Sequence, residues 1–235
     1  YSINEFFSLK ASVNRMHQYI NMLTNTVAIS PNAKWKLADT HIKPLSGWQY
    51  SLGVFKNFKY NTYELSLEVY YKQVDQLLDF KDGSDLVVTT LPETNVLQGN
   101  LDAYGAELML KKTRGSLTGW LNYTYSRSLV FVPGINNDLT YPANFDKPHA
   151  VNVVANYKFS RRLSMSGNFV YTSGRPVTYP TAAFYQNEAP YIHFSARNEF
   201  RIPSYIRLDL GFNLEGNLKA KKLFHGTWNF SLYNL

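Results

Sequence analysis

Cysteine is absent from this 235-residue chain, which removes disulfide staples, thiol nucleophiles and thiolate metal sites and leaves the redox compartment open. No run approaches the roughly 18 consecutive apolar residues that a spanning helix requires, so any membrane crossing has to use strands. Also missing are a Gly-rich phosphate loop, a paired-histidine zinc helix and a Gly-x-Ser-x-Gly elbow. Neither an enzymatic activity nor a cofactor is expected. Tyr1 to Lys10 has no basic start and no apolar core, and the chain does not begin with Met, so it reads as an interior piece of a longer protein.

What is present is alternation. Ile206, Leu208, Leu210, Phe212 and Leu214 form one apolar face against Arg207, Asp209, Gly211, Asn213 and Glu215. Tyr63, Leu65, Leu67, Val69 and Tyr71 oppose Glu64, Ser66, Glu68, Tyr70 and Lys72 in the same way. Leu117, Gly119, Leu121, Tyr123 and Tyr125 oppose Thr118, Trp120, Asn122, Thr124 and Ser126, and Leu163, Met165, Gly167, Phe169 and Tyr171 oppose Ser164, Ser166, Asn168, Val170 and Thr172. The period of two predicts nine strands near 5–20, 45–57, 62–80, 100–112, 116–129, 147–159, 163–173, 203–216 and 225–235. A mean hydropathy of -0.29 does not oppose a membrane location, because only alternate residues of a barrel strand face lipid. Eighteen tyrosines and an aromatic content of 16% suit the interfacial girdles of such a barrel.

The connections fall into two classes. Short ones centre on 57–61, 113–116, 160–162 and 217–224, while long ones rich in Pro, Gly, Asn and aromatics span 22–44, 81–99, 130–146 and 174–203. Tight turns at one end and long loops at the other are the periplasmic and extracellular asymmetry of outer-membrane barrels. The net charge of +7 is concentrated at the short turns: Lys56 and Lys59; Lys111, Lys112 and Arg114; Arg161 and Arg162; Lys219, Lys221 and Lys222. Spaced around one rim, these cations suit anionic head groups and not nucleic acid. The expected fold is therefore all-β, an antiparallel transmembrane β-barrel fragment of about nine long meandering strands, occupying residues 1–235 as a single partial domain. Outer-membrane lipids are the expected surroundings, and two unpaired edges leave it unclosed.

Several stretches resemble TonB-dependent outer-membrane receptors: Tyr104-Gly105-Ala106-Glu107, then Gly119-Trp120-Leu121-Asn122-Tyr123-Thr124-Tyr125-Ser126, then Tyr141-Pro142 and Asp146-Lys147-Pro148-His149. Ser173-Gly174-Arg175-Pro176, Tyr179-Pro180, Arg207-Leu208-Asp209-Leu210 and the final Trp228 to Leu235 follow in the family's order. The resemblance implies the C-terminal part of a 22-stranded barrel, short of its last strands and without the N-terminal plug domain. It further implies outer-membrane localisation in a Gram-negative bacterium and energised import of a large scarce nutrient, a ferric siderophore, haem, cobalamin or an oligosaccharide. The partners it implies are the TonB complex, reached through a plug segment absent here, and in some cases a surface lipoprotein. A passive porin and a soluble β-rich carbohydrate-binding module are the alternatives. Strands of ten residues or more favour the membrane over a sandwich, whose strands average about five or six.

Candidate site residues follow from position. The loop at 174–203 combines Arg175, Tyr179, Tyr185, Tyr191, His193 and Arg197, rigid aromatic faces with guanidinium donors that can grip sugars or anionic chelates. Glu64, Glu68 and Lys72 are expected to face the lumen near Glu107 and Lys111, where cross-strand charges pair, hold a plug or simply satisfy a wet interior; Arg207 and Asp209 share the lumen face of a later strand. His41 and His193 are the loop histidines with the reach to ligate haem iron, His149 is expected to orient the loop above it, and His17 and His225 read as strand ends. Asp79 to Asp85 clusters carboxylates around Gly83 but lacks the spacing of a calcium loop, so a turn is expected and no metal site.

Overall fold

The computed structural model describes residues 2–23, 34–82, 92–186, 189–216 and 226–235. Nine strands follow one another, eight long and the last of 6 residues: β1 (Phe7–Gln18), β2 (Leu45–Phe58), β3 (Tyr63–Phe80), β4 (Val96–Lys112), β5 (Leu117–Phe131), β6 (His149–Lys158), β7 (Leu163–Thr172), β8 (Tyr205–Glu215) and β9 (Thr227–Leu232). They meander in sequence order through one antiparallel sheet, to which the short segments Ser2–Asn4 and Tyr141–Pro142 add. All nine strands expected from the alternation are present. The Lys219, Lys221 and Lys222 cluster and His225 lie outside the described residues.

Directly paired residues of an antiparallel ladder share a face, so the register decides whether the faces match from strand to strand. One row runs Leu65, Leu110, Leu121, Val153, Phe169 and Leu208, and the next runs Leu67, Leu108, Tyr123, Val151, Tyr171 and Ile206. On the other face Glu68, Glu107, Thr124, Ala150, Thr172 and Tyr205 make a single row. No strand is out of phase. Leu52 is 51% exposed, Leu67 46% and Ile206 60%, so the apolar face is bare, the reverse of a water-soluble sandwich whose facing sheets bury such rows. It is the face toward lipid.

Aromatic rows bound that band. Tyr50, Tyr71 and Tyr104 are paired across β2, β3 and β4 at the loop end, and Phe58 and Tyr63 stack at the turn end with centroids 5.4 Å apart. Tyr63 to Tyr71 spans eight residues, about 26 Å of strand, which a tilt near 40° reduces to roughly 20 Å, close to the apolar height of an outer membrane. The short turns are built for sharp reversal: Lys59, Tyr60 and Asn61 all adopt left-handed backbone, and Gly115 takes φ of 100° in the next turn.

At the loop end the inner face is dry. Leu101 and Ala103 of β4 and Val130 of β5 are buried beneath Val132, Ile135, Tyr141 and Ala143, with Val74, Leu77 and Leu97 packed alongside. Tyr141 pairs with Val130, which pairs with Leu101, which pairs with Val74. The connection 131–146 therefore folds back over the lumen side of the wall. A bulge at Gln76, with φ of 63°, inserts one residue so that Leu77 and Asp79 rejoin the inward face. The expectation of an aqueous inner face is corrected here: it holds along the mid-strand rows and gives way to a small apolar core at the mouth.

Replacing Leu208 or its partner Phe169 with Arg is expected to impair assembly in the membrane, at a cost of roughly 2–4 kcal/mol for a mid-bilayer site. Asn168→Arg and Asn213→Arg, on the opposite face, should assemble normally. Heat-modifiable gel mobility of the protein in isolated outer membranes measures both, and equal behaviour of the two faces would contradict the register.

Candidate functional site

The long connections are tied to one another at the mouth. The hairpin Ile20–Leu23 with Lys34–Leu37 is joined to the second loop by Lys36, 3.6 Å from Glu93, and Lys43 exchanges two hydrogen bonds with the side chain of Gln98. Asp82 accepts the backbone N–H of Asn136 at 2.9 Å, linking the second loop to the third. Asn136 in turn accepts the N–H of Arg197, and the Asn198 amide donates to the carbonyl of Pro142 at 2.8 Å, linking the third to the fourth.

Two buried charge clusters fix this assembly. Asp146 is fully buried; its carboxylate accepts the N–H of Ser128 at 2.7 Å, pairs with the Arg201 guanidinium and lies 3.6 Å from Nε of Arg127. Arg201 also donates to the carbonyls of Asp146 and Gly174. The Arg197 side chain is 1% exposed; it donates to the Phe80 carbonyl, stands 3.2 Å from Asp82 and 3.9 Å from Asp79, and covers the Tyr141 ring at 5.9 Å. Burial, and secondarily the carboxylate of Asp79, push the Tyr141 phenol well up, so it remains a donor to Asp79 at 2.6 Å. The carboxylates of Asp79 and Asp82 are thus occupied by Arg197, Tyr141 and Asn136; the remainder of that acidic stretch, 83–85, lies outside the described residues.

The six loop residues singled out from sequence separate into two groups. Tyr179, Tyr185 and Tyr191 are 60%, 80% and 49% exposed, and Arg175 is exposed as well. Tyr185, Tyr191 and His193 sit on a hairpin of Pro180–Gln186 with Ala189–Phe194, where Phe184 stacks on Tyr191 at 5.8 Å and Thr181 Oγ1 lies 2.9 Å from His193 Nδ1. Arg197 is instead sealed beneath the loops. His193 and Arg197 meet at the margin of a cleft that Asp82, Asn136, Thr178 and Ser195 also line. His41 is exposed in the first loop and donates its N–H to Asp39 at 2.8 Å. His149 lies on the outward face between Tyr123 and Tyr125, with Nδ1 2.9 Å from the Tyr123 hydroxyl, so its ring joins the aromatic girdle, while its backbone N–H donates to Ser173 Oγ at 3.1 Å and its carbonyl accepts the Ser173 N–H at 2.8 Å, where the fourth loop begins.

On the lumen face Glu64 and Lys111 pair at 3.1 Å, as the alternation suggests. Glu68 stands directly opposite Glu107, and Lys72 opposite Ala103 and Gln49, so these three do not complete the ladder. Arg207 donates to both oxygens of Asp209 on its own strand, at 3.0 and 2.9 Å. Sequence reasoning did not single out Arg127, Tyr141, Asp146, Arg201 or Asn198 as site residues. Tyr141 and Asp146 belong to the Tyr141-Pro142 and Asp146-Lys147-Pro148-His149 motifs, but nothing in a motif tells which carboxylate will be buried.

Residues 1–235 match the TonB-dependent receptor-like β-barrel family over their whole length, and the chain belongs to that family, one of outer-membrane receptors and transporters and not of enzymes. Among solved structures it is similar to the ferripyoverdine receptor of the outer membrane of Pseudomonas aeruginosa, at 14% identity and a TM-score of 0.61, covering 100% of this chain and 28% of that one. It is similar also to the ferric-catecholate import receptor Fiu from E. coli K12, at 12% identity and a TM-score of 0.63, covering 100% and 29%. The FrpB iron transporter from Neisseria meningitidis matches at 13% identity with a TM-score of 0.53, covering 91% and 31%. The chain spans less than a third of each of these proteins. No curated protein matches it. The protein is one of the outer membrane.

Asp146→Ala should cost about 1–3 kcal/mol, because it leaves the Ser128 N–H without its acceptor and removes the carboxylate that two partly exposed guanidinium groups share. The expected result is a lower unfolding temperature for the parent protein and faster protease cleavage within 131–146 and 174–203 on intact cells; an unchanged cleavage pattern would show that the cluster does not hold the loops. In the first loop, hydrogen bonds from Ile42 and His41, then the ammonium of Lys36, lower the Asp39 carboxylate to about 2. Its folded value lies below its ordinary one, so the stabilisation of that turn is complete above pH 4 and is lost only as the pH falls through about 2.

Proposed function

We propose that this chain is part of a receptor that binds a ferric siderophore or a comparably large, scarce nutrient at its extracellular loops and imports it with energy delivered by TonB. The observation that carries this reading is the whole-length family match, together with the chain's likeness in fold to a ferripyoverdine receptor, a ferric-catecholate import receptor and an iron transporter. Under it the exposed aromatics Tyr179, Tyr185 and Tyr191, with Arg175 and His193, contact the ligand. Aromatic planes and guanidinium donors suit the catechol, hydroxamate or peptide surfaces of an anionic iron chelate. Arg197 supports that surface from below without touching the ligand.

The lumen wall suits a folded plug. Glu68 and Glu107 are exposed on one row and directly opposed, a like-charge pairing that costs energy unless cations on a neighbouring segment meet it. We assign the plug domain of the parent protein as the source of those cations. Oligosaccharides, haem and cobalamin are the competing nutrients, and a surface lipoprotein is a candidate accessory.

Growth of a strain deleted for the parent gene on a panel of ferric chelates, corrinoids, haem and glycans, complemented with wild type or with Tyr185→Ala and Tyr191→Ala, tests the assignment. Loss of growth on one ferric siderophore, dependent on TonB and weakened at least tenfold in ligand affinity by the double substitution, is the expected outcome. Growth deficits confined to glycans or corrinoids would replace the siderophore assignment, and uptake that persists without TonB would make the parent a passive channel.

A further inference from the structure

On the lipid side of the wall, at the end bearing the short turns, the register sets Tyr63, Lys112, Gly119 and Ala155 into one row. Leu110, Leu121 and Val153 stand along one side of that row and Leu117 on the other, enclosing a shallow apolar groove across β4, β5 and β6. Its depth is fixed by the backbone. At Gly119, where φ is 152°, an added Cβ would stand 2.0 Å from the carbonyl oxygen of Val154, so no side chain can fill the floor there.

One end of the groove is cationic. The ammonium groups of Lys59 and Lys112 lie 5.5 and 5.8 Å from the centroid of the Tyr63 ring, and Phe58 stacks on that ring. Among the described residues neither lysine forms an ion pair with a carboxylate, whereas Lys111, one position away and on the opposite face, is held by Glu64. Arg114 belongs to the same turn. Two unneutralised cations on an aromatic ring, at head-group depth and at the mouth of an acyl-sized slot, have the charge and polarity of a binding site for an anionic amphiphile.

We propose that this groove binds one phospholipid of the periplasmic leaflet, with the phosphate at Lys59 and Lys112 and an acyl chain lying over Gly119 and Ala155. The site concerns the outer wall and is independent of which nutrient the lumen passes. The charge argues for a phosphate-bearing lipid, and the groove for one chain at a fixed place, distinct from the diffuse attraction of any basic rim.

The experiment uses the full-length parent receptor purified in detergent, titrated with phosphatidylglycerol, phosphatidylethanolamine or a free fatty acid of equal chain length, with retained lipid counted by native mass spectrometry. Wild type is expected to retain one phosphatidylglycerol through detergent exchange. K59Q/K112Q should lower its apparent affinity at least tenfold and flatten its salt dependence, and A155L, which fills the floor without touching the charges, should reduce retention equally; A155V serves where A155L does not assemble. R161Q/R162Q, on the next turn, should change nothing. Retention lost equally in R161Q/R162Q would mean diffuse electrostatics only, and retention kept in A155L or A155V would mean that the groove is not used. Preference for the fatty acid would replace the phospholipid, while no retained lipid, or a co-purifying polypeptide in its place, would overturn the proposal. Because no nutrient enters this measurement, its failure is separable from failure of the import reading.

Discussion

Every peptide group that enters hydrocarbon has to find its hydrogen-bond partner within the protein, and the rest of this structure follows from that requirement. Strands cannot meet it singly. They meet it as a continuous ladder, and a continuous ladder forces paired residues onto a common face. The row from Leu65 to Leu208 crosses six strands without a break in phase, and so does the row from Glu68 to Tyr205. A one-residue slip at any seam would put a Leu row into the lumen and a Glu or Asn row into lipid, which is why register is so strongly specified here. Where the strands leave the membrane the constraint relaxes, and there the bulge at Gln76 and the infolded loop 131–146 occur.

The reach of the sequence follows the same boundary. Between the two aromatic rows the period of two is enforced by two different solvents, so all nine strands and both faces were legible, down to the Glu64–Lys111 pair. Above the loop-end aromatics the buried side chains answer to tertiary neighbours and not to a solvent. Leu101 and Val130 alternate like lumen residues, yet they are buried beneath Ile135 and Tyr141, because a distant segment folds over them. Arg197 sits among exposed aromatics in sequence and was read with them. Its burial depends on Asp82 and Asp79, more than a hundred positions away, and on the ring of Tyr141. Local pattern carries no information about such a contact.

The mouth is also where polar burial is least complete. Two guanidinium nitrogens of Arg197, Nε and Nη1, are buried without a hydrogen-bond partner, while Nη2 serves Phe80, Asp79 and Asp82. An unpartnered buried donor costs of order 1–3 kcal/mol, which the face of Tyr141 offsets in part through its quadrupole. The Asp146 carboxylate is better served, with a backbone donor and the Arg201 guanidinium, and only Nε of Arg127, 3.6 Å away, is buried there without a hydrogen-bond partner among the described residues. Of the two clusters, the one around Arg197 therefore holds its loops less firmly, and it is the one nearer the cleft bordered by His193.

This difference bears on how such a mouth can recognise a ligand. Binding loses affinity for each loop and side chain that must be ordered on contact, so a recognition surface gains from a rigid support. Tyr185 and Tyr191 project from a two-stranded hairpin whose own backbone is paired, and tyrosine has only two side-chain torsions to fix. Beneath them the loops are joined by Asn136, Asn198 and the two arginine clusters, so the entropy of gathering four connections is already spent when the barrel folds. Contacts at the hairpin then act on a connected body. Loss of the Arg197–Asp82 contact alone would leave the third and fourth loops joined, because the Arg197 N–H still donates to Asn136, Asn198 to Pro142 and Arg201 to Asp146. The fourth loop, which carries the aromatic hairpin, is thus tied to the infolded loop over the lumen by several separate contacts and not by one buried side chain.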